Sequence, residues 1–126
     1  MIYIQALGTD KVANQRSYDI IKKLIRWEKE IFIASSKSIN YLPEGAKPNE
    51  IIIVDQDDIK QIIEKIDKLN FNEEIVVNVT TGTKAMIIGL VYLAIKNKGK
   101  IIYIGGEREK EKVITGSEKI YEYDFR

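Results

Sequence analysis

Hydrophobic positions along this chain follow two rhythms. Short apolar runs at residues 1–7, 30–35, 50–54, 74–79 and 100–104 are rich in β-forming residues, and none of them alternates strictly with polar ones. Runs of that length and composition predict strands. Their lack of alternation predicts strands covered on both faces, as in a mostly parallel sheet. Between them the apolar residues recur at helical spacing. Tyr18, Ile21, Leu24 and Ile25 do so within residues 14–28, Ile59, Ile62, Ile63 and Ile66 within 57–69, and a nearly continuous apolar stretch fills 83–97.

Near the C-terminus, residues 113–114, the turn Thr115-Gly116-Ser117-Glu118 and residues 120–125 read as a β-hairpin closing the sheet edge. The predicted order is β-α-β-β-α-β-α-β with that hairpin appended. This defines an α/β fold, a Rossmann-like three-layer sandwich around a mostly parallel sheet. Asn14 or a neighbour is expected to cap the first helix, and Asp57 or Asp55 the second. Residues 42–48 hold both prolines and form the most loop-like stretch.

Length and charge narrow the function. A chain of 126 residues predicts one domain, residues 1–126. Its 20 basic and 19 acidic residues nearly cancel, which argues against long nucleic acid as a partner but leaves room for a small anion in one pocket. There is no cysteine, so disulfides and thiolate chemistry are excluded. There is no histidine either, so any catalysis must manage without imidazole. No apolar run reaches the roughly 18–20 residues of a membrane span. The N-terminus lacks the basic flank of a signal peptide, and the expected home is the cytoplasm, with no membrane partner.

In such a sheet, ligands bind beyond the carboxyl ends of the strands. The turns predicted there carry Thr9-Asp10, Ser35-Ser36-Lys37, Thr80-Thr81-Gly82-Thr83-Lys84 and Gly105-Gly106. The third is the most informative. Gly82 allows a sharp turn and a close approach to a ligand. Thr80, Thr81 and Thr83 offer hydroxyls, and the free N–H groups of the following helix favour an anion. Lys84 stands in the first helical turn, where the helix dipole disfavours a cation unless an anion is near. The plain alternative is that the threonines only cap the helix and Gly82 only shapes the turn. Two known phosphate patterns fail. Thr83 separates Gly82 from Lys84, which breaks the P-loop, and no G-x-G-x-x-G follows the first strand.

The segment Asn78-Val79-Thr80-Thr81-Gly82-Thr83-Lys84-Ala85-Met86 resembles the Asn-x-Thr-Gly-Gly-Thr-Lys-x-Met signature of CRISPR-associated Rossmann-fold (CARF) domains. It departs at Thr81, where the family commonly has glycine; the side chain is expected to leave less room for a ligand. The first turn, Gly8-Thr9-Asp10 through Asn14-Gln15-Arg16, and the Ser35-Ser36-Lys37 turn are similar to the layout of the same domains, so the resemblance spans nearly the whole chain.

The resemblance implies a homodimer binding a cyclic oligoadenylate of type III CRISPR defence, cyclic tetra-adenylate above all, across a twofold axis. It further implies a stand-alone ring nuclease that opens the messenger without metal or cofactor, an activity that fits the absent histidine. In that reading Lys84, Arg16 and Ser36 are catalytic. Thr9, Asp10, Asn14, Gln15, Ser35, Lys37, Asn78, Thr80, Thr81, Gly82, Thr83, Gly105 and Gly106 bind the ligand. Two alternatives stand beside it: a non-catalytic sensor acting through a partner or fused effector, and a Rossmann-like protein binding another nucleotide. Elsewhere, Trp27 and Met86 are expected to pack, and Tyr121, Tyr123 and Phe125 to share one face. The run Glu107-Arg108-Glu109-Lys110-Glu111-Lys112 reads as a solvated segment, with a lid over the ligand as the sharper alternative.

Overall fold

A computed structural model describes residues 1–110 and 112–126, so Glu111 of the charged run lies outside the described residues. Strands β1 (Ile2–Ala6), β2 (Lys29–Ala34), β3 (Glu50–Ile53), β4 (Ile75–Asn78) and β5 (Lys100–Gly105) alternate with helices α1 (Lys11–Leu24), α2 (Ile59–Ile66) and α3 (Lys84–Lys96). Two short strands, β6 (Arg108–Glu109) and β7 (Lys112–Val113), precede β8 (Lys119–Asp124). The main sheet has six strands in the order β3-β2-β1-β4-β5-β8. Its first five are parallel, and β8 returns antiparallel beside β5, from Lys100 opposite Asp124 to Gly105 opposite Lys119.

The C-terminal antiparallel pair is therefore built from β5 and β8. Val113 pairs instead with Arg108, in a separate two-stranded ribbon inserted between the two arms. Its described charged residues, Glu107 to Lys110 and Lys112, are exposed.

Successive strand residues point to opposite faces, and each face meets its own helices. Ile2, Ile4, Ala6, Ile33 and Val77 pack against Ile62 and Ile66 of α2 and Met86, Leu90 and Leu93 of α3. Tyr3, Leu7, Phe32, Val76 and Ile102 pack against Tyr18 and Ile21 of α1. The three-layer arrangement follows. Between α2 and α3 the packing is tightest at Gly89, where an added Cβ would lie 2.7 Å from Ile62 Cγ2.

Helix boundaries differ from the sequence reading for a local reason. Asp10, not Asn14, caps α1, its carboxylate accepting the Ala13 amide at 3.1 Å. The first turn of α1 overhangs the sheet, and Val12 is exposed, so hydrophobic periodicity could not mark it. Likewise Asp58, rather than Asp55 or Asp57, caps α2 by accepting the Gln61 amide at 3.0 Å. Because α1 ends at Leu24, Trp27 lies in the following connection. Its indole stacks on Tyr3 with centroids 4.2 Å apart and donates to the buried Glu30 carboxylate at 2.9 Å. Glu30 also accepts from the Tyr18 hydroxyl and, at 2.8 Å, from the Lys47 amide, which fastens the proline-bearing loop to β2. No helix among the described residues is long and apolar enough to cross a membrane.

Gly89→Ala is expected to lower unfolding free energy by about 1–3 kcal/mol, because the new methyl overpacks a closed helix contact. Urea denaturation checks this, with unchanged stability as the contrary result.

Candidate functional site

The strand order turns back on itself between β1 and β4, and the crevice beyond their carboxyl ends is the place where such sheets accept ligands. Two turns meet there. In one, Gly82 has φ +105°, and a Cβ on it would lie 2.7 Å from Ala6 Cβ. In the other, a Cβ on Gly8 would lie 3.2 Å from the Gly82 nitrogen. Glycine at both positions lets backbone lie directly on backbone.

The polar side chains of the third turn all serve the turn itself. Asn78 Oδ1 accepts the Thr80 amide at 3.0 Å, and the Thr80 hydroxyl accepts the Ile104 amide at 2.9 Å. The Thr81 hydroxyl donates to the Ala6 carbonyl at 2.7 Å and accepts from Gln5 Nε2 at 3.1 Å. Thr83 caps α3, accepting the Met86 amide at 3.2 Å while donating to the Gln56 carbonyl. Thr81 is buried and turned inward, so its methyl and hydroxyl do not crowd the outer face of the turn. The expectation that this residue narrows the ligand space is corrected by that direction. After the turn, Lys84 is exposed and Ala85 is buried, and neither lines a cavity at the rim. The Lys84 and Ala85 amides occupy the first two positions of α3, where no intrahelical acceptor exists.

The remaining predicted residues fall into groups. Thr9, Ser35, Lys37, Gly82 and Thr83 line one cavity of about 350 Å³ together with Gly8, Gln56 and Met86. Asp10, Arg16 and Thr80 line a second, of about 170 Å³, with Ser17 and Ile104 under the β6–β7 ribbon. The two cavities share no lining residue, so Arg16 and Lys37 are not brought into one pocket. Arg16 also donates to the Val113 carbonyl at 3.3 Å. Ser36 is exposed and lines neither cavity, while Ser35 is buried and bonded to Ser38.

Four further residues turn out to have structural partners. Asn14 is fully buried and clamps Gly8, accepting its amide at 3.1 Å and donating to its carbonyl at 3.0 Å. Gln15 bonds the Glu44 amide at 2.6 Å, away from both cavities. Gly106 is shaped by the chain itself, since a Cβ there would lie 2.8 Å from the Ser117 carbonyl oxygen; one on Gly105 would meet the Tyr103 and Tyr121 rings at 3.0 Å.

Sequence reasoning missed Gln5, Ser17 and Gln56. The signal for Gln5 was available: one amide within an otherwise apolar strand must find partners when buried. It receives the Tyr3 hydroxyl at 2.6 Å, and Tyr3 in turn accepts Asn78 Nδ2 at 2.8 Å. Burial pushes the Tyr3 phenol well above its ordinary range, against the lowering effect of the Asn78 hydrogen bond, so the hydroxyl stays a donor.

Charge is polarised along the strand axis. The far end carries ion pairs, among them Lys29–Glu73, Arg126–Glu74 and Lys96–Asp67. At the carboxyl rim, Arg16, Lys37 and Lys84 make no ion pair among the described residues. Among the described residues, Asp10 is the one carboxylate lining either cavity. No group of three or more His, Cys, Asp or Glu side chains converges among the described residues.

Such a rim defines a Rossmann-like domain that presents backbone donors and uncompensated cations at its switch point. The family model of the Card1 CARF domain matches residues 6–125, and the chain belongs to the CARF domain family. Among solved structures it is similar to Can2 from Sulfobacillus thermosulfidooxidans in complex with cyclic tetra-adenylate, with TM-score 0.61 and 20% identity over 82% of this chain and 32% of that one. It is also similar to Enterococcus italicus Csm6 bound to cyclic hexa-2′-fluoro-hexa-dAMP, with TM-score 0.51 and 18% identity over 82% of this chain and 33% of that one. The chain thus spans about a third of the length of each. At these identities the likeness establishes the fold. No curated protein sequence matches the chain.

Gly82→Ala is expected to cost more than about 1 kcal/mol of stability, since both its φ and its space exclude a methyl. Gly116→Ala, at φ +93° with nothing within 4 Å, should cost less. Equal losses in thermal melts of the two variants would contradict the close approach of the turns.

Proposed function

We propose that this domain binds a cyclic oligoadenylate, cyclic tetra-adenylate in the first instance, as a cytoplasmic homodimer with the two rims facing across the twofold axis. The observation that carries this reading is the β4–α3 turn. Its Asn and Thr side chains are engaged within the fold, the Lys84 and Ala85 amides head α3 without intrahelical acceptors, and Lys84 and Lys37 make no ion pair among the described residues. Backbone donors at a helix start and unpaired cations suit a phosphodiester. Membership of the CARF family supports the ligand class, as does the fold shared with Can2, whose structure holds cyclic tetra-adenylate.

The finer reading is a metal-independent ring nuclease. A ribose 2′-oxygen forms a bond to the adjacent phosphorus as the bond from phosphorus to the 5′-oxygen breaks. The 2′-hydroxyl gives up its proton, the 5′-oxygen gains one, and a 2′,3′-cyclic phosphate remains. The protein aligns the attack and stabilises charge on the phosphoryl oxygens, tasks for Lys84 and the α3 amides. A second reading, a sensor that binds without cleaving, draws support from the separation of Arg16 from Lys37 and from Ser36 lining neither cavity.

Incubation with cyclic tetra-adenylate under single-turnover conditions separates the readings. Linear products ending in a 2′,3′-cyclic phosphate are expected; ligand recovered bound and intact supports the sensor; no binding overturns both. Lys84→Ala is expected to weaken binding about tenfold or more, the loss of one charge-assisted contact, and calorimetry showing unchanged affinity would remove Lys84 from the site.

A further inference from the structure

Gln5 is the fourth of the five residues of β1, fully buried, one residue before the strand runs out. A polar amide there has a cost unless every hydrogen-bonding group is used. Here the directions of all the bonds are fixed by chemistry. Asn78 Oδ1 takes the Thr80 amide, so Asn78 Nδ2 must be the group facing Tyr3 and Ser17, at 2.8 and 2.9 Å. The Tyr3 hydroxyl, already an acceptor from Asn78, gives its proton to Gln5 Oε1. That leaves the two protons of Gln5 Nε2 for the Asn14 carbonyl at 3.2 Å and the Thr81 hydroxyl at 3.1 Å. Thr81 then has its own proton free for the Ala6 carbonyl. Reversing Asn78 would set its amide protons against the Thr80 amide, and reversing Gln5 would set its carbonyl against the Asn14 carbonyl.

We propose that Gln5 is the positioning residue of the β4–α3 turn: it locks that turn and the opening turns of α1 into one body, so the Lys84 and Ala85 amides are held in fixed register with the Gly8 turn. This rests on the reading of the rim as the ligand site. Gln5 touches no ligand-facing surface; it lines neither cavity. It acts through two partners. Thr81 is the residue before Gly82, and Asn14 clamps Gly8, so a single amide reaches both glycine turns that meet backbone to backbone. Tyr3, Asn78 and Ser17 close the circuit behind it. A purely apolar side chain in the same volume would fill the core equally well and leave the turns free to move apart. The strand therefore carries an amide where packing alone asks for a methionine or leucine.

The test uses the full chain with Gln5→Met, Thr81→Val, the double variant, and Ile62→Val as a destabilised control whose side chain packs in the core at Gly89 and takes no part in the hydrogen-bond circuit. Amide hydrogen exchange of the ligand-free protein is read first. Exchange of the hydrogen-bonded amides of Thr80, Met86 and Gly8 is expected to quicken about tenfold in Gln5→Met and in Thr81→Val, the factor one lost buried hydrogen bond gives, with the double variant no faster than the quicker single. Exchange in α2 should stay as in the parent. Ile62→Val should lower the melting temperature and leave the amides of Thr80, Met86 and Gly8 unchanged. Affinity for cyclic tetra-adenylate is read second, well below the melting point of each variant, and should fall in the same two single variants but not in the control. Unchanged exchange at the turn, or effects of the two substitutions that multiply, overturns the proposal. Should Gln5→Met not fold, Thr81→Val decides by the same readout. If the parent binds no cyclic tetra-adenylate, that result counts against the proposed function, and the exchange data still decide the role of Gln5.

Discussion

Where β4 leaves β1, the parallel ladder ends at Asn78 opposite Gln5, and the two chains must part while still lying close. Backbone groups at such a divergence need partners, because an unpaired buried amide or carbonyl costs as much as a lost hydrogen bond. The Thr81 hydroxyl answers this by taking the Ala6 carbonyl from across the gap. Everything at the rim depends on that junction. It sets Gly82 against Ala6, presses the Gly8 turn against the Gly82 nitrogen, and starts α3 at a fixed place. The first amides of the helix, at Lys84 and Ala85, are thereby set at the switch point without intrahelical acceptors.

From that constraint the division of labour follows. Side chains that look like ligand contacts, Asn78, Thr80, Thr81 and Thr83, build the turn, and the turn presents backbone. Among the described residues, Arg16, Lys37 and Lys84 around it make no ion pair, whereas the opposite end of the sheet gathers ion pairs between exposed groups. Exposed pairs add little stability, so their placement matters more for the field than for the fold. Two separate cavities flank the switch point, one near Lys37 and Gln56 and the other near Arg16.

The fold was legible because unalternating isoleucine-rich strands and helical periodicity allow few other architectures, and the Gly82-Thr83-Lys84 turn fell where that architecture puts a site. What was not legible has identifiable causes. Val12 faces outward, so the first turn of α1 left no hydrophobic mark and the cap at Asp10 was displaced to Asn14. Thr81 reads the same in a sequence whether it points outward or inward; only the Ala6 carbonyl and the Gln5 amide decide. Gln56 comes to the rim from a different loop, and no short-range pattern links it to Gly82. The grouping of Arg16, Ser36 and Lys84 came from family likeness, and side-chain direction on three separate elements is what such likeness does not carry.

The central claim is that the backbone of the β1 and β4 turns, held from behind by buried side chains, is the surface that meets the ligand. Titration of the isotopically labelled protein with cyclic tetra-adenylate, followed by amide chemical shifts, tests it most directly. The account predicts that the amides of Gly8, Thr9, Gly82, Lys84 and Ala85 shift together along one binding curve, with the ion-paired far end near Lys29 and Arg126 unmoved. Shifts centred on the far end, or none at the turns at saturating ligand, would contradict it.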